Sequence, residues 1–173
     1  MSETRIITAL LLISLLFNSA CNKSLEDDKL YDDEEVIENY LSKKGYDYTK
    51  SNGVYHVILD TSDYPLISEG DSVSFWYSAF EVGGKIFDTN IKSVALKNNL
   101  DTLFRFFNPI SIKAGDGSLI KGLNIGILKL TNQEHALLLF PSTLGYKGNP
   151  MGPVDAWTCL MFDIQIESVT VKD

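Results

Sequence analysis

The chain has 173 residues, a formal net charge of -8 and a sequence pI near 4.7. This length suits one domain with a leader and a tether, but not two independent cores, and the acidic balance argues against nucleic acid as a partner because phosphate binding requires clustered lysine and arginine. Two cysteines and two histidines are too few for a disulfide framework or a legible metal cluster, so we expect no metal site.

An apolar run, IITALLLISLLF, occupies residues 6–17. It is too short to cross a bilayer as a stable helix, but its length is typical of the apolar centre of a signal peptide. We therefore predict a lipoprotein signal peptide over residues 1–20.

Cys21 follows two small residues, Ser19 and Ala20, although Asn18 replaces the usual aliphatic residue before them. This ending resembles the lipobox of bacterial lipoproteins, in which the cysteine thiol is acylated and becomes the mature N-terminus. The resemblance implies lipidation of Cys21 and anchoring to the outer membrane, on its periplasmic or its outer side. The alternative is ordinary secretion with a free Cys21 thiol.

The next segment, NKSLEDDKLYDDEE at residues 22–35, is strongly acidic. It buries too little apolar surface to offset the entropy of ordering, so we predict a solvated acidic tether over residues 21–35. The same stretch resembles the surface-export signals of Bacteroidetes lipoproteins, which would place the domain outside the outer membrane.

Residues 33–44 carry acidic side chains first and lysines last, an order that suits the dipole of a helix. Val36, Tyr40 and Leu41 would form its apolar side. We predict a short helix and a linker over residues 36–52.

From residue 53 onward, short runs rich in β-branched and aromatic residues indicate strands. The predicted strands are 53–60, 71–80, 85–88, 109–114, 134–140 and 158–171. Gly83 and Gly84 predict a tight turn that joins the second of these strands to the third. Cys159 lies in the last run, and we expect it to be a buried, inert thiol.

One segment has helical spacing instead. Its apolar residues are Leu119, Ile120, Leu123 and Ile127. A turn precedes them in which Asp116 or Ser118 is available as the helix cap. A single helix among antiparallel strands predicts an α+β fold with the helix packed on the sheet.

Three blocks of the chain, in this order, resemble the FKBP family of peptidyl-prolyl cis-trans isomerases. They are GDSVSFWYSAFEVGGKIFDTN from Gly70, LIKGLNIGILKLTNQEHALLLFPSTLGYKGN from Leu119 and CLMFDIQIESV from Cys159. The resemblance implies an FKBP-like domain over residues 53–173, in which a strongly twisted antiparallel sheet wraps around one short helix after an N-terminal helical segment. It also implies prolyl isomerase activity on unfolded or partly folded polypeptides.

The resemblance also assigns roles by position. The catalytic residues would be Tyr77, Asp88 and Tyr146, and the substrate-binding residues would be Phe87, Ile110, Leu119, Ile120, Leu123 and Phe162. The Tyr146 hydroxyl and the backbone N–H of Ile120 would donate to substrate carbonyls. A prolyl amide rotates over a barrier of roughly 18–20 kcal/mol. A dry aromatic cleft lowers this barrier without a nucleophile, metal or cofactor, so we expect no cofactor.

Some positions depart from the family pattern. Leu123 stands where the strongest members have a tryptophan floor, and Lys147 stands where glycine is usual. The segment 89–108 is longer than usual, and LFRFF at 103–107 adds aromatic residues near the expected cleft rim. These departures leave open a catalytically weak chaperone or peptide-binding module, and also a structural envelope protein that binds no peptide.

Overall fold

The computed structural model describes residues 27–103 and 105–172, so Cys21 and the predicted signal peptide lie outside the described residues. The strands are β1 (Thr49–Ser51), β2 (Val54–Asp60), β3 (Ser72–Glu81), β4 (Ile86–Thr89), β5 (Ile110–Lys113), β6 (His135–Phe140) and β7 (Leu160–Thr170). The helices are α1 (27–44), α2 (Lys92–Lys97) and α3 (Lys121–Ile127), and a 3-10 turn spans Ser142–Leu144. None of these helices is long and apolar enough to cross a membrane.

The strands form one seven-stranded antiparallel sheet in the order β1-β2-β6-β7-β3-β4, with β5 also paired to β3. Strand β3 pairs with β7 along one side, while its first half pairs with β5 and its second half with β4 on the other side. The turn at Gly83 and Gly84 closes the β3–β4 hairpin, and both glycines have a positive φ that other residues rarely adopt. The predicted hairpin and the predicted α+β fold are therefore confirmed.

One face of the sheet packs around α3. Gly122 and Gly126 allow the close approach, since a Cβ at Gly122 would lie 2.4 Å from the Phe140 ring and one at Gly126 would lie 2.6 Å from Leu138 Cδ1. The side chains of Phe140 and Leu138 are fully buried in this core. The helix therefore lies directly on β6, which fixes its first turn beside the strands that line the candidate site.

The predicted cap of α3 is wrong. Ile120 occupies the N-cap position and makes no side-chain cap hydrogen bond. Asp116 instead accepts a hydrogen bond from the Ser118 N–H at 2.8 Å, within the preceding turn. The carboxylate stabilises the turn rather than the helix because Asp116 and Ser118 both lie before the N-cap position.

The opposite face of the sheet packs against α1, which already includes residue 27, the first residue that the structure describes. The predicted solvated tether is therefore wrong for residues 27–35, and the predicted helix begins earlier than expected. The buried stripe of the helix contains Asp33, Ile37 and Leu41 at intervals of four residues, whereas Val36 is exposed. Tertiary packing of this stripe on the sheet supplies the stabilisation that the acidic composition lacks. Residues 36–52 do not form a separate segment. They contain the end of α1, which reaches residue 44, and β1 (Thr49–Ser51), which pairs with β2 of the sheet.

Candidate active site

A cavity of about 230 Å³ opens on the α3 side of the sheet. Its lining residues are Phe75, Tyr77, Phe87, Asp88, Ile110, Ser118, Leu119, Ile120, Leu123, Tyr146 and Phe162. The structure thus brings together all nine catalytic and substrate-binding residues predicted from the sequence, and it adds Phe75 and Ser118. Their roles in a reaction stay predictions at this point.

The walls of the cavity are aromatic. Phe162 of β7 stacks on Phe140 with ring centroids 5.7 Å apart, and it meets Phe87 edge to face at 6.1 Å. Its ring also lies 6.2 Å from that of Tyr77. Leu123, which is 6 % exposed, adds an apolar surface from α3. Because the core holds Phe162 and Phe87 in place, the cavity wall is formed before any ligand arrives.

One carboxylate, that of Asp88, joins two other side chains at this cavity. The Tyr77 hydroxyl donates to Asp88 Oδ2 at 2.6 Å, and Arg105 Nη1 donates to Asp88 Oδ1. Burial and the hydrogen bond to Asp88 raise the pKa of Tyr77 above its ordinary value, so its hydroxyl keeps its proton at neutral pH. The charge of Asp88 is balanced by Arg105, which limits the electrostatic cost of a carboxylate beside apolar walls.

Asn90 fixes the end of β4 and was missed in the sequence analysis. Its Oδ1 accepts from the Tyr77 N–H at 2.7 Å, and its Nδ2 donates to the carbonyls of Phe75 and Asn108, each at 3.1 Å. This buried amide therefore ties β3 to the segment before β5. An asparagine two residues after the Phe87-Asp88 pair, at the end of a predicted strand, was the available signal, but it did not reveal these distant partners.

The contact of Arg105 with the site was also missed, because apolar and aromatic residues surround Arg105 in the sequence. Leu103 and Phe106 are 71 % and 89 % exposed, and none of the described residues in 103–107 lines the cavity. The expectation of aromatic residues near the rim stays a prediction, since Arg105 of the same run contacts Asp88 of the cavity. The long 89–108 segment contains α2 and returns Arg105 to Asp88. A single cation within an apolar run was the signal for this contact.

Tyr146 lies on the loop that follows β6. The N–H groups of its two neighbours, Gly145 and Lys147, both donate to the Ser142 carbonyl at 3.0 Å. Lys147 has a φ of 54°, a conformation that suits glycine better than a residue with a side chain. Burial, and then the negative charge of Asp88, raise the pKa of Tyr146. Its hydroxyl therefore keeps its proton at neutral pH and can donate a hydrogen bond at the edge of the cavity.

A match to a known protein family covers the residues of this cavity. The family model of the FKBP-type peptidyl-prolyl cis-trans isomerases matches residues 65–167, which is more than half of the 173-residue chain. The chain belongs to this family. Among FKBP-type relatives, a short-type peptidyl-prolyl cis-trans isomerase of Methanocaldococcus jannaschii is 35% identical over 81 residues, which cover 47% of this chain and 51% of that protein.

A second FKBP-type relative, FK506-binding protein 4 of Chaetomium thermophilum, is 29% identical over 100 residues, covering 58% of this chain and 18% of that protein. The chain thus spans about half of the length of the archaeal relative and much less of the fungal one. The comparisons therefore establish the family and leave the activity of the whole protein to a proposal.

Two solved structures share the FKBP-like fold. FkpA of Escherichia coli aligns with a TM-score of 0.59 at 18% identity, over 98% of this chain and 74% of that one. A peptidyl-prolyl cis-trans isomerase of Pseudomonas syringae aligns with a TM-score of 0.62 at 20% identity, over 84% of this chain and 96% of that one. The predicted FKBP-like fold, with an antiparallel sheet and an N-terminal helix, is confirmed.

Proposed function

We propose that the protein is a peptidyl-prolyl cis-trans isomerase that assists the folding of exported polypeptides. Its substrates would be proline-containing segments of unfolded or partly folded chains, and nucleic acid is no partner. The observation that carries this proposal is the meeting of Tyr77, Asp88 and Tyr146 at one cavity walled by Phe87 and Phe162. Membership of the FKBP-type family supports the same reaction.

The reaction requires rotation about the amide bond and no change of covalent bonds. In water, hydrogen bonds to the amide oxygen favour the conjugated, planar form, and the twisted transition state is less polar. A cavity that excludes water removes this preference, so Phe162, Phe87 and Leu123 would lower the barrier by desolvation. The Tyr146 hydroxyl and the Ile120 N–H would bind neighbouring carbonyls of the substrate and hold it while the prolyl bond turns.

The role of Asp88 in this proposal is indirect. Its two oxygens already accept from Tyr77 and Arg105, so the carboxylate holds the Tyr77 ring against the cavity. The ring of Tyr77 would then present its positive C–H edge to the oxygen of the substrate carbonyl. We therefore expect Asp88 to orient the aromatic wall rather than to transfer a proton.

A proline-peptide assay tests the proposed activity. Cis-trans exchange of a phenylalanyl-prolyl peptide is followed by NMR with the purified protein, so that no coupling protease is needed. We expect exchange faster than the uncatalysed rate, which is tens to hundreds of seconds per event. Tyr146→Phe should lower kcat/KM on the order of tenfold, the equivalent of one hydrogen bond.

The matched control for Tyr146→Phe is Tyr64→Phe, because Tyr64 is exposed and does not line the cavity. That variant should retain the wild-type rate. A wild-type protein that exchanges the peptide no faster than buffer would contradict the proposed activity.

The second candidate function is a peptide-binding chaperone with weak isomerase activity. The observation that favours it is Leu123, a small aliphatic floor where the strongest family members have a tryptophan ring. A smaller floor offers less contact to a proline ring, while the aromatic walls still bind apolar segments. Peptide binding with an affinity unchanged by Tyr146→Phe, and without accelerated exchange, would favour this function over the first.

We also propose that lipid on Cys21 holds the domain at the outer membrane. The short apolar run and the small residues before Cys21 support this proposal, and an acyl chain contributes about 0.8 kcal/mol per buried methylene. Because residue 27 already lies in α1, the six-residue step from Cys21 to the domain spans at most about 20 Å. The domain would therefore lie close to the membrane surface.

Labelling cells with an alkyne fatty acid tests the anchor. The wild-type protein should incorporate label and partition into membranes, whereas Cys21→Ser should do neither. Protease treatment of intact cells then distinguishes the two sides of the outer membrane, since a periplasmic domain survives. An unlabelled wild-type protein would indicate ordinary secretion instead.

A further inference from the structure

Asp33 of α1 is a buried carboxylate on the face of the sheet opposite α3. It is 1 % exposed, and its Oδ2 accepts hydrogen bonds from the Ser142 N–H at 2.9 Å and from the Ser142 hydroxyl at 2.5 Å. Its Oδ1 pairs with Lys29 Nζ at 2.9 Å. A buried charge is costly unless it is paired and hydrogen-bonded, and these three contacts meet that requirement. Asp33 therefore binds Ser142 specifically.

Ser142 is also the residue that shapes the loop around Tyr146. Its side chain is fully buried, and its carbonyl accepts from the N–H groups of Gly145 and Lys147, the two neighbours of Tyr146. On the other side of Tyr146, the Lys147 carbonyl accepts a hydrogen bond from the Trp157 N–H at 2.7 Å, which joins two parts of the same loop. Asp33 thus fixes the one residue whose carbonyl holds both peptide units that flank Tyr146.

The contact joins parts of the chain that are 109 residues apart. The loop after β6 contains a short 3-10 turn and one isolated bridging pair, Met151 with Val154, before β7 begins. The backbone hydrogen bonds of residues 141–157 join this loop to itself, so a charge-assisted bond from α1 to its first turn has a large influence on its position. A second contact, from Cys159 Sγ to the Asp33 carbonyl at 3.7 Å, holds α1 at the same place.

We propose that Asp33 is a positioning residue for Tyr146, so that the docking of α1 sets the geometry of the active-site loop from the far side of the sheet. This inference rests on the proposed isomerase function. It assigns α1 a task beyond covering an apolar face of the sheet. Loss of the carboxylate should leave Ser142 without a partner for its N–H and hydroxyl, and the Tyr146 hydroxyl should then sample positions away from the cavity.

The test compares Asp33→Ala with Ile37→Ala in the full chain. Ile37 lies one helical turn further along α1, is fully buried and belongs to the same packed stripe. Ile37→Ala therefore weakens the docking of α1 without removing a bond to Ser142. Asp33→Asn is the milder variant, because a neutral amide oxygen accepts more weakly than a carboxylate while the side-chain volume is kept.

The first measurement is hydrogen exchange of the Gly145 and Lys147 amides under conditions where each variant is folded. Asp33→Ala should accelerate exchange at these two amides on the order of tenfold. Asp33→Asn should accelerate it less. Ile37→Ala should not accelerate exchange at these two amides more than at other amides of the domain. Equal protection of both amides in the wild type and in Asp33→Ala would overturn the inference, whether or not the protein is an active isomerase.

The second measurement is kcat/KM per folded molecule in a double-mutant cycle with Tyr146→Phe. Asp33→Ala should lower kcat/KM on the order of tenfold in the wild-type background and have little further effect once the hydroxyl is absent. Multiplicative losses, or an equal loss in Ile37→Ala, would overturn the inference and leave the isomerase function standing. An inactive wild type would instead overturn the proposed function, and amide exchange would then decide the inference alone.

Discussion

The polar groups of the candidate site are arranged so that both tyrosine hydroxyls stay protonated. Asp88 accepts from Tyr77 and Arg105, and the pKa values of Tyr77 and Tyr146 are both raised by burial and by the charge of Asp88. Neither tyrosine ionises near neutral pH, so both remain hydrogen-bond donors. The proposed reaction requires such donors and no group that gains or loses a proton.

Cys159 shows the same effect of burial on a group outside the site. Burial, reinforced by the charge and hydrogen bond of Asp33, raises the pKa of its thiol to about 12. The thiolate is therefore negligible at neutral pH, and the thiol is free within the part of the chain that the structure describes. The expectation of a buried residue is confirmed, and the raised pKa agrees with an inert thiol.

Leu123→Trp is expected to raise catalytic efficiency. Leu123 faces the cavity of about 230 Å³, and an indole ring there would extend the apolar contact beneath a bound proline ring. We expect kcat/KM for a proline peptide to rise severalfold, roughly 1 kcal/mol of additional transition-state stabilisation. NMR exchange rates measure the change, and thermal unfolding serves as the control for overpacking. A folded variant with an unchanged or lower rate would contradict this role for residue 123.

Helix α3 packs closely on strand β6 because Gly122 and Gly126, which have no side chains, lie on the helix face that contacts the strand. The position of α3 determines where Leu123 meets the cavity, and the packing of Phe140 on Phe162 transmits the same restraint to the aromatic wall. The candidate site thus depends on a close helix–strand contact that lies behind it.

Gly122→Ala is expected to destabilise the protein and to disturb the cavity. The added methyl group would lie 2.4 Å from the Phe140 ring, which is fully buried and cannot move away freely. Overpacking of this kind costs typically about 1–3 kcal/mol in the free energy of unfolding. Urea denaturation measures the loss. Lys121→Ala, at an exposed position of the same helix, is the control for a substitution in α3 that adds no atom to the core.

Helix α1 is expected to contribute to the stability of the whole domain. Ile37 is fully buried between α1 and the sheet, in a cluster with Tyr55 and Leu139. Ile37→Ala should lower the free energy of unfolding by about 2–5 kcal/mol because it leaves a cavity in this cluster. Denaturant unfolding checks this value, and Val36→Ala on the exposed side of the same helix should change little. Equal effects of the two substitutions would show that α1 does not dock as described.

Among residues 27–103 and 105–172, two apolar clusters form, one on each face of a single sheet. The first surrounds α3 and forms the cavity, and the second receives α1. Strands β6 and β7 contribute alternate side chains to both clusters, so the faces cannot be treated as separate domains. The Asp33–Ser142 contact joins α1, on one face of the sheet, directly to the loop after β6 that carries Tyr146.

Stability is expected to decrease as the pH falls below about 6.5, the ordinary pKa of histidine. Burial lowers the pKa of His56, whose Nε2 lies 3.3 Å from the Gly126 carbonyl. The unfolded chain therefore binds a proton at a pH where the folded chain does not, and the difference grows as the pH falls from the unfolded pKa towards the folded one. Urea unfolding at pH 7.5 and below 6 measures the effect, and His56→Gln should flatten it. A histidine variant with the wild-type pH dependence would exclude His56 as the cause.

Most of the fold and much of the candidate site could be predicted from the sequence. The strands were predicted because alternation of apolar residues is a local property, and the hairpin turn because two adjacent glycines favour it. The cavity residues came from the resemblance to the FKBP family. Asn90 and Arg105 could not be predicted in the same way, because their partners lie on other elements and local composition does not indicate them.

Helix α1 shows most clearly which features follow from the sequence and which follow from the tertiary structure. The sequence by itself determined an acidic segment that leads into a helix with apolar positions, and it also determined the strands and the family. Only the tertiary structure decided that residues 27–35 belong to the helix and that Asp33 faces the protein rather than water. The physical reason is that a carboxylate is stable in the interior only when specific donors meet it. Lys29 of the same helix supplies one donor, and the other two belong to Ser142, which folding alone brings to Asp33.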